Sequence, residues 1–141
     1  MKSLKLFFLD DDSEDLELLT EVAESFGHSV TLFSTPTALF DHLELQNETP
    51  DIIFTDIFMP LINGYEVLKQ LKSLKALKNI PIIIYSDKCD EKCVDKCFEL
   101  GVSYHIKKAR SFTWLSSAME NIFNHEWQGH VPARKAFLIQ Q

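Results

Sequence analysis

Pro50-Asp51-Ile52-Ile53-Phe54-Thr55-Asp56-Ile57-Phe58-Met59-Pro60 reads as a short buried strand that stops on a carboxylate. Ile52, Ile53 and Phe54 supply the apolar run and Asp56 ends it, and Met59-Pro60 and then Asn63-Gly64 punctuate the loop that follows. A carboxylate at the C-terminal mouth of a strand is where open α/β sheets carry their chemistry. Taken alone, the same residues are equally compatible with a solvated loop aspartate, so the neighbouring segments decide.

Those segments repeat the pattern. Leu4–Leu9 is a near-continuous apolar run, as in a strand covered on both faces, and it ends on Asp10-Asp11-Asp12. Ser13 is a candidate N-cap for a helix to Phe26, with Leu16, Leu19, Ala23 and Phe26 on one face and Gly27 as its stop. Val30–Phe33 reads as a second strand, and Thr35-Pro36 opens a helix to about Leu45. After Asn63-Gly64, the spacing of Val67, Leu68, Leu71 and Leu74 predicts a third helix. Ile80–Tyr85 is a fourth strand, Cys89–Leu100 a helix stopped by Gly101, and Tyr104–Ile106 a fifth strand. Ser111 caps a last helix carrying Leu115, Met119, Ile122 and Phe123. Five alternations of strand and helix predict a doubly wound (βα)5 fold with a parallel sheet.

Composition narrows the function. The 141 residues suffice for one domain, and 45% hydrophobic with 25% charged residues is ordinary globular composition. The net charge, 14 − 21 = −7, argues against nucleic-acid binding. No apolar run approaches the roughly 20 residues of a membrane span, and no signal-peptide pattern opens the chain. Cys89, Cys93 and Cys97 are odd in number and confined to one segment, which fits a reducing cytoplasm and packing on one helix face. Lys69, Lys72, Lys75 and Lys78 read as a solvated face.

In a parallel sheet the strand ends share one edge. Asp10 and Asp11, then Asp56, Ser86, and Lys107 with Lys108 therefore converge. Several carboxylates meeting without His or Cys call for a hard cation, and Mg²⁺ is favoured over zinc. A divalent cation beside an amine and a hydroxyl suits a phosphoryl group, with a carboxylate as nucleophile.

Phe8-Leu9-Asp10-Asp11-Asp12, Phe54-Thr55-Asp56-Ile57-Phe58-Met59-Pro60 with Asn63-Gly64, Tyr85-Ser86, and Gly101 followed seven residues later by Lys108 occur in this order. Over about Lys2 to Phe123 the chain resembles the receiver domain of bacterial two-component response regulators, and is similar to their stand-alone chemotaxis regulator. The resemblance implies a flavodoxin-like fold with a five-stranded sheet in the order 2-1-3-4-5. It implies a receiver domain over residues 1–127, a short C-terminal tail over 128–141 and no output domain. Asp56 would be the phosphoacceptor, with Asp10, Asp11, Asp56 and the Phe58 backbone carbonyl holding Mg²⁺. Ser86 would be the switch hydroxyl, Lys108 its ion-pair partner, and His105 the switch ring. The implied role is a cytoplasmic phosphorelay switch with Mg²⁺-dependent self-phosphorylation and autodephosphorylation, rather than a metabolic enzyme. Its partners would be a sensor histidine kinase or phosphotransfer protein and a downstream protein target, with no nucleic acid and no membrane.

Four positions depart from the family pattern. Ala109 follows the lysine where the family has proline, often in a cis bond; Arg110 stands where an apolar residue is common. Asp87 replaces a small residue after the hydroxyl, and His105 replaces an aromatic ring. Asp87, Ala109 and Arg110 keep open a pseudo-receiver that binds proteins without phosphate. A phosphatase or phosphotransferase is the third class, opposed by Phe58 where an Asp-x-Asp pair would need an acid. The tail residues Phe137-Leu138-Ile139 are candidates to dock on the body or on a partner.

Overall fold

The computed structural model describes residues 2–127 and 129–140. Strands β1 (Lys5–Leu9), β2 (Ser29–Phe33), β3 (Ile52–Thr55), β4 (Ile82–Ser86) and β5 (Tyr104–Lys107) alternate with helices α1 (Ser13–Ser25), α2 (Pro36–Leu45), α3 (Gly64–Ser73), α4 (Glu91–Glu99) and α5 (Phe112–Phe123). A short helix α6 (Arg134–Phe137) then leads into β6 (Leu138–Ile139). The sheet order is β2-β1-β3-β4-β5-β6, and every pair is parallel. The order 2-1-3-4-5 is as expected, but the sheet has six strands rather than five. Leu138 and Ile139 pair with His105 and Ile106 and cover an edge that would otherwise be open.

Both faces of the sheet are buried, and the alternation of side chains along each strand sorts the core into two layers. Leu6, Phe8, Ile52, Phe54, Ile83, Tyr85 and Ile106 pack against Leu16, Leu19 and Val22 of α1 and Leu115, Met119 and Ile122 of α5. Phe7, Leu9, Ile53, Ile82 and Ile84 pack against Leu39 of α2, Val67, Leu68 and Leu71 of α3, and Val94 and Cys97 of α4. Phe8 and Phe54, side by side on β1 and β3, meet edge to face at 5.1 Å. Burying each such ring contributes about 2–3 kcal/mol.

Helix starts follow the capping chemistry with two shifts. Thr35 caps α2 and Ser111 caps α5, each through its side-chain oxygen, as the sequence predicts. Helix α1 is capped by Asp12 instead of Ser13: its carboxylate accepts from the Glu14 and Asp15 amides at 3.0 and 3.2 Å. A carboxylate at a helix N-terminus adds a favourable charge–dipole interaction that a hydroxyl lacks.

Helix α4 likewise starts at Glu91, with Asp90 as cap, so Cys89 lies outside it. Cys89 folds back onto the first turn in a disulfide with Cys93, and only Cys97 is a free, buried thiol. This corrects the expectation of three reduced cysteines on one helix face: a four-residue spacing that crosses a cap no longer follows helical geometry. The loop after Asp56 also carries a small antiparallel ribbon, Phe58–Met59 with Ile62–Asn63, where periodicity showed only a turn.

Candidate functional site

The carboxyl ends of β1, β3, β4 and β5 meet at one edge, and ladder hydrogen bonds running just past the strands hold them there. The Asp56 amide donates to the Leu9 carbonyl at 2.9 Å, Asp10 to Phe33 at 3.1 Å, and Lys108 to Ser86 at 3.0 Å. Around this edge Asp11, Asp15, Asp56, Phe58, Ser86, Asp87, Lys88, Lys108 and Arg110 line an open, polar cleft. Asp10 lies buried beneath it.

Asp56 is 7% exposed. Its Oδ1 accepts from the Ile57 amide at 2.7 Å and the Phe58 amide at 3.1 Å, and its Oδ2 lies 3.0 Å from Lys108 Nζ. The same ammonium is 3.0 Å from Asp10 Oδ2 and 2.7 Å from Asp15 Oδ2. Burial pulls the lysine's pKa down, but hydrogen bonds to Asp15, Asp10 and Asp56 outweigh it and hold the group firmly protonated. Asp10 goes the other way. Burial raises its pKa to about 6, against the lowering effect of the Asp12 amide on Oδ1 and of Lys108.

Asp15 is the residue that strand-end reasoning missed. With Asp12 as the cap, Asp15 falls in the first turn of α1, where it faces the cleft and makes the shortest of the three lysine contacts. The signal was present in the sequence as a capping aspartate followed three residues later by another acid.

The donor set fits a hard divalent cation. One oxygen each of Asp10, Asp11 and Asp56 lies within 4.8 Å of the others, and among the described residues no histidine or cysteine joins them. Asp10 Oδ2 is buried and faces the Lys108 ammonium at 3.0 Å, so one of its lone pairs remains for a cation. Three carboxylates sharing a single ammonium leave a net negative charge that a bound cation would offset. Phe58, in the ribbon, also lines the cleft.

Ser86 on β4 lines the cleft, and His105 is buried on the neighbouring strand β5. Ser86 Oγ is buried and makes no hydrogen bond among the described residues, and neither does His105 Nδ1. The pairing of Ile84 with His105 and of Ser86 with Lys107 keeps the two residues on neighbouring strands. The departures at 87 and 110 also face the cleft: Asp87 lines it together with Lys88 and Arg110. No described peptide bond is cis, so Lys108-Ala109 runs trans, with the Ala109 carbonyl accepting from Tyr85 Oη at 3.4 Å.

His105 sets an acid limit on stability. Burial lowers its pKa from 6.5 to about 4, with the Ser86 carbonyl and Asp56 pulling weakly upward. Between those values the unfolded chain binds a proton that the folded chain does not. Stability from the neutral ring is therefore complete above pH 6.5 and lost as pH falls through 4. The separation corresponds to about 3 kcal/mol. His105→Phe is expected to remove that slope, and urea unfolding of both proteins across this window measures it. Equal slopes in the two proteins would contradict a buried neutral imidazole.

The response regulator receiver domain model matches residues 6–120. The chain is 31% identical over 102 residues to the two-component response regulator ORR5 of Oryza sativa subsp. japonica, covering 71% of this chain and 74% of that protein. It is 26% identical over 129 residues to the two-component response regulator-like protein APRR3 of Arabidopsis thaliana, covering 91% of this chain but 25% of APRR3. Among solved structures, the phosphorylated cyanobacterial phytochrome response regulator RcpA superposes with a TM-score of 0.78 at 23% identity, covering 92% of this chain and 98% of that one. The Mn²⁺-bound response regulator Rcp1 gives 0.74 at 23% identity, covering 92% and 99%. The similar proteins include plant ones, so the likeness is not confined to bacteria. The chain belongs to the response regulator receiver domain family.

Proposed function

We propose that this receiver domain is a phosphorylation switch that takes a phosphoryl group on Asp56. The observation that carries the reading is the meeting in one cleft of a buried carboxylate, a shared lysine and an unpartnered hydroxyl. In the transfer, an Asp56 oxygen attacks the phosphorus of a phosphohistidine on a sensor kinase or phosphotransfer protein. The P–O bond forms as the P–N bond breaks, and the imidazole leaves with the electron pair and takes up a proton. Lys108 neutralises charge on the phosphoryl oxygens. Ser86 Oγ moves toward that group and donates a hydrogen bond, and His105 turns into the space left. The surface of α4, β5 and α5 then shifts between two populated states.

Asp10, Asp11, Asp56 and the Phe58 carbonyl would hold Mg²⁺, which when bound offsets negative charge on the phosphoryl oxygens. Water attack on the acyl phosphate returns Asp56 to its free carboxylate, which makes the domain a self-resetting switch rather than a metabolic enzyme. The switch signals through protein contacts. Among the described residues no helix is long and apolar enough to cross a membrane.

The test is intact-protein mass after incubation with acetyl phosphate and Mg²⁺. One phosphate is expected on wild type, only with Mg²⁺, and none on Asp56→Asn. If wild type stays unmodified and also fails to bind beryllofluoride, the phosphorylation-independent pseudo-receiver replaces this reading.

A further inference from the structure

Residues 134–139 take no part in the chemistry proposed for Asp56, yet they are packed against the group beside it. β6 adds to β5 with His105 opposite Leu138 and Ile106 opposite Ile139. Phe137 has no exposed surface. Its ring meets Phe98 of α4 at 5.3 Å and His105 of β5 at 6.4 Å, both nearly edge to face. Arg134 Nε closes the arrangement with a 2.7 Å ion pair to Asp95 Oδ1 on α4. One short segment therefore grips the last strand of the family sheet, the neighbouring helix and the switch ring.

The consequence falls on His105. The ring is 1% exposed, with β4 on one side and Phe137 on the other. While the segment is docked, the imidazole has no solvent-side space to turn into. Without it, β5 would be the sheet edge and the outer flank of His105 would be uncovered.

We infer that Arg134–Ile139 is an intramolecular ligand of the β5–α4 face, and that its docking is coupled through His105 to phosphoryl occupancy of Asp56. The inference rests on the switch reading above, in which His105 turns inward as Ser86 moves to the phosphoryl group. The docked segment closes the outer side of the ring, which disfavours the outward orientation that competes with that inward turn. Two events that favour one conformation favour each other, and thermodynamic linkage makes the factor equal in both directions. The segment thus acts as a strap that strengthens the phosphorylated form.

The experiment uses the full chain with beryllofluoride and Mg²⁺ as the phosphoryl mimic. Amide hydrogen exchange across residues 135–139 is expected to slow by about fivefold or more on binding, the lower end of ordinary coupling. Phe137→Ala is expected to weaken beryllofluoride binding by a comparable factor. Because that variant opens a core cavity, Arg134→Glu serves beside it: both members of its ion pair are partly exposed, so docking loosens with the core intact. Its binding should weaken in the same direction by less. Equal binding by all three proteins, with exchange in the segment unchanged, overturns the coupling and leaves the switch reading standing. Tighter binding by the variants overturns it as well, since the strap would then oppose phosphorylation. No binding by wild type removes the switch reading and this inference with it.

Discussion

Lys108→Met is expected to lose about 3–5 kcal/mol of folding stability in metal-free buffer and to recover much of it when Mg²⁺ is added. The ammonium stands 2.7 Å from Asp15 and 3.0 Å from both Asp10 and Asp56, with the lysine side chain only 12% exposed. Removing it leaves three carboxylates facing one another with their desolvation uncompensated, and that exceeds the loss of any exposed pair. A divalent cation held by Asp10, Asp11 and Asp56 replaces the missing charge at two of the three carboxylates, so Mg²⁺ should bind the variant more tightly than it binds wild type. Stabilisation by ligand then follows the ratio of Mg²⁺ concentration to its dissociation constant. Phosphorylation should move the opposite way. Losing a preorganised donor to the phosphoryl oxygens slows such a step by roughly a hundredfold or more. Urea unfolding with and without Mg²⁺, together with the rate of adduct formation, measures all three effects. A variant as stable as wild type without metal would show that the three contacts are not a strong buried network.

The second large effect belongs to a residue with no functional group. Gly64→Ala is expected to destabilise the fold by about 3 kcal/mol and to suppress phosphorylation of Asp56 together with it. A methyl group at position 64 would overlap the carbonyl oxygen, carbonyl carbon and Cα of Ile57. These are backbone atoms and cannot rotate aside. The Ile57 amide donates to Asp56 Oδ1 at 2.7 Å, so any shift that admits the methyl also displaces the phosphoacceptor. Gly27→Ala is the matching control. Gly27 has φ +84° with open space around its would-be Cβ, so only the left-handed backbone penalty of about 1 kcal/mol applies, far from the cleft. Thermal unfolding of the two variants and the acetyl phosphate reaction separate the cases. Similar losses at both positions, with phosphorylation intact in Gly64→Ala, would refute the close approach.

Much of the architecture was legible because the signals were local. Ile52–Thr55 and Ile82–Ser86 are buried on both faces and announce themselves as continuous apolar runs. Thr35 and Ser111 cap the helices that follow them because a side-chain oxygen needs only the amides a few residues ahead. Parallel strands then oblige Asp10, Asp11, Asp56, Ser86 and Lys108 to gather at one edge, and they do gather there. Asp12 rather than Ser13 caps α1; either residue type can cap and only backbone geometry distinguishes them.

The sequence by itself determined the alternation of strands and helices, the two-sided core and the set of chemistry-bearing strand ends, since periodicity and capping act over a few residues. Tertiary structure alone decided which partners those groups take. Asp15 shares Lys108 although 93 residues separate them, a contact that no local pattern encodes. Cys89 reaches Cys93 because Asp90 starts the helix after it. Phe137 is buried because the edge of β5 and the flank of α4 leave an apolar site of its size, and Leu138 and Ile139 then extend the sheet. A hydrophobic triplet near the end of the sequence states only that it must be covered. What covers it depends on surfaces assembled from segments far apart in the chain.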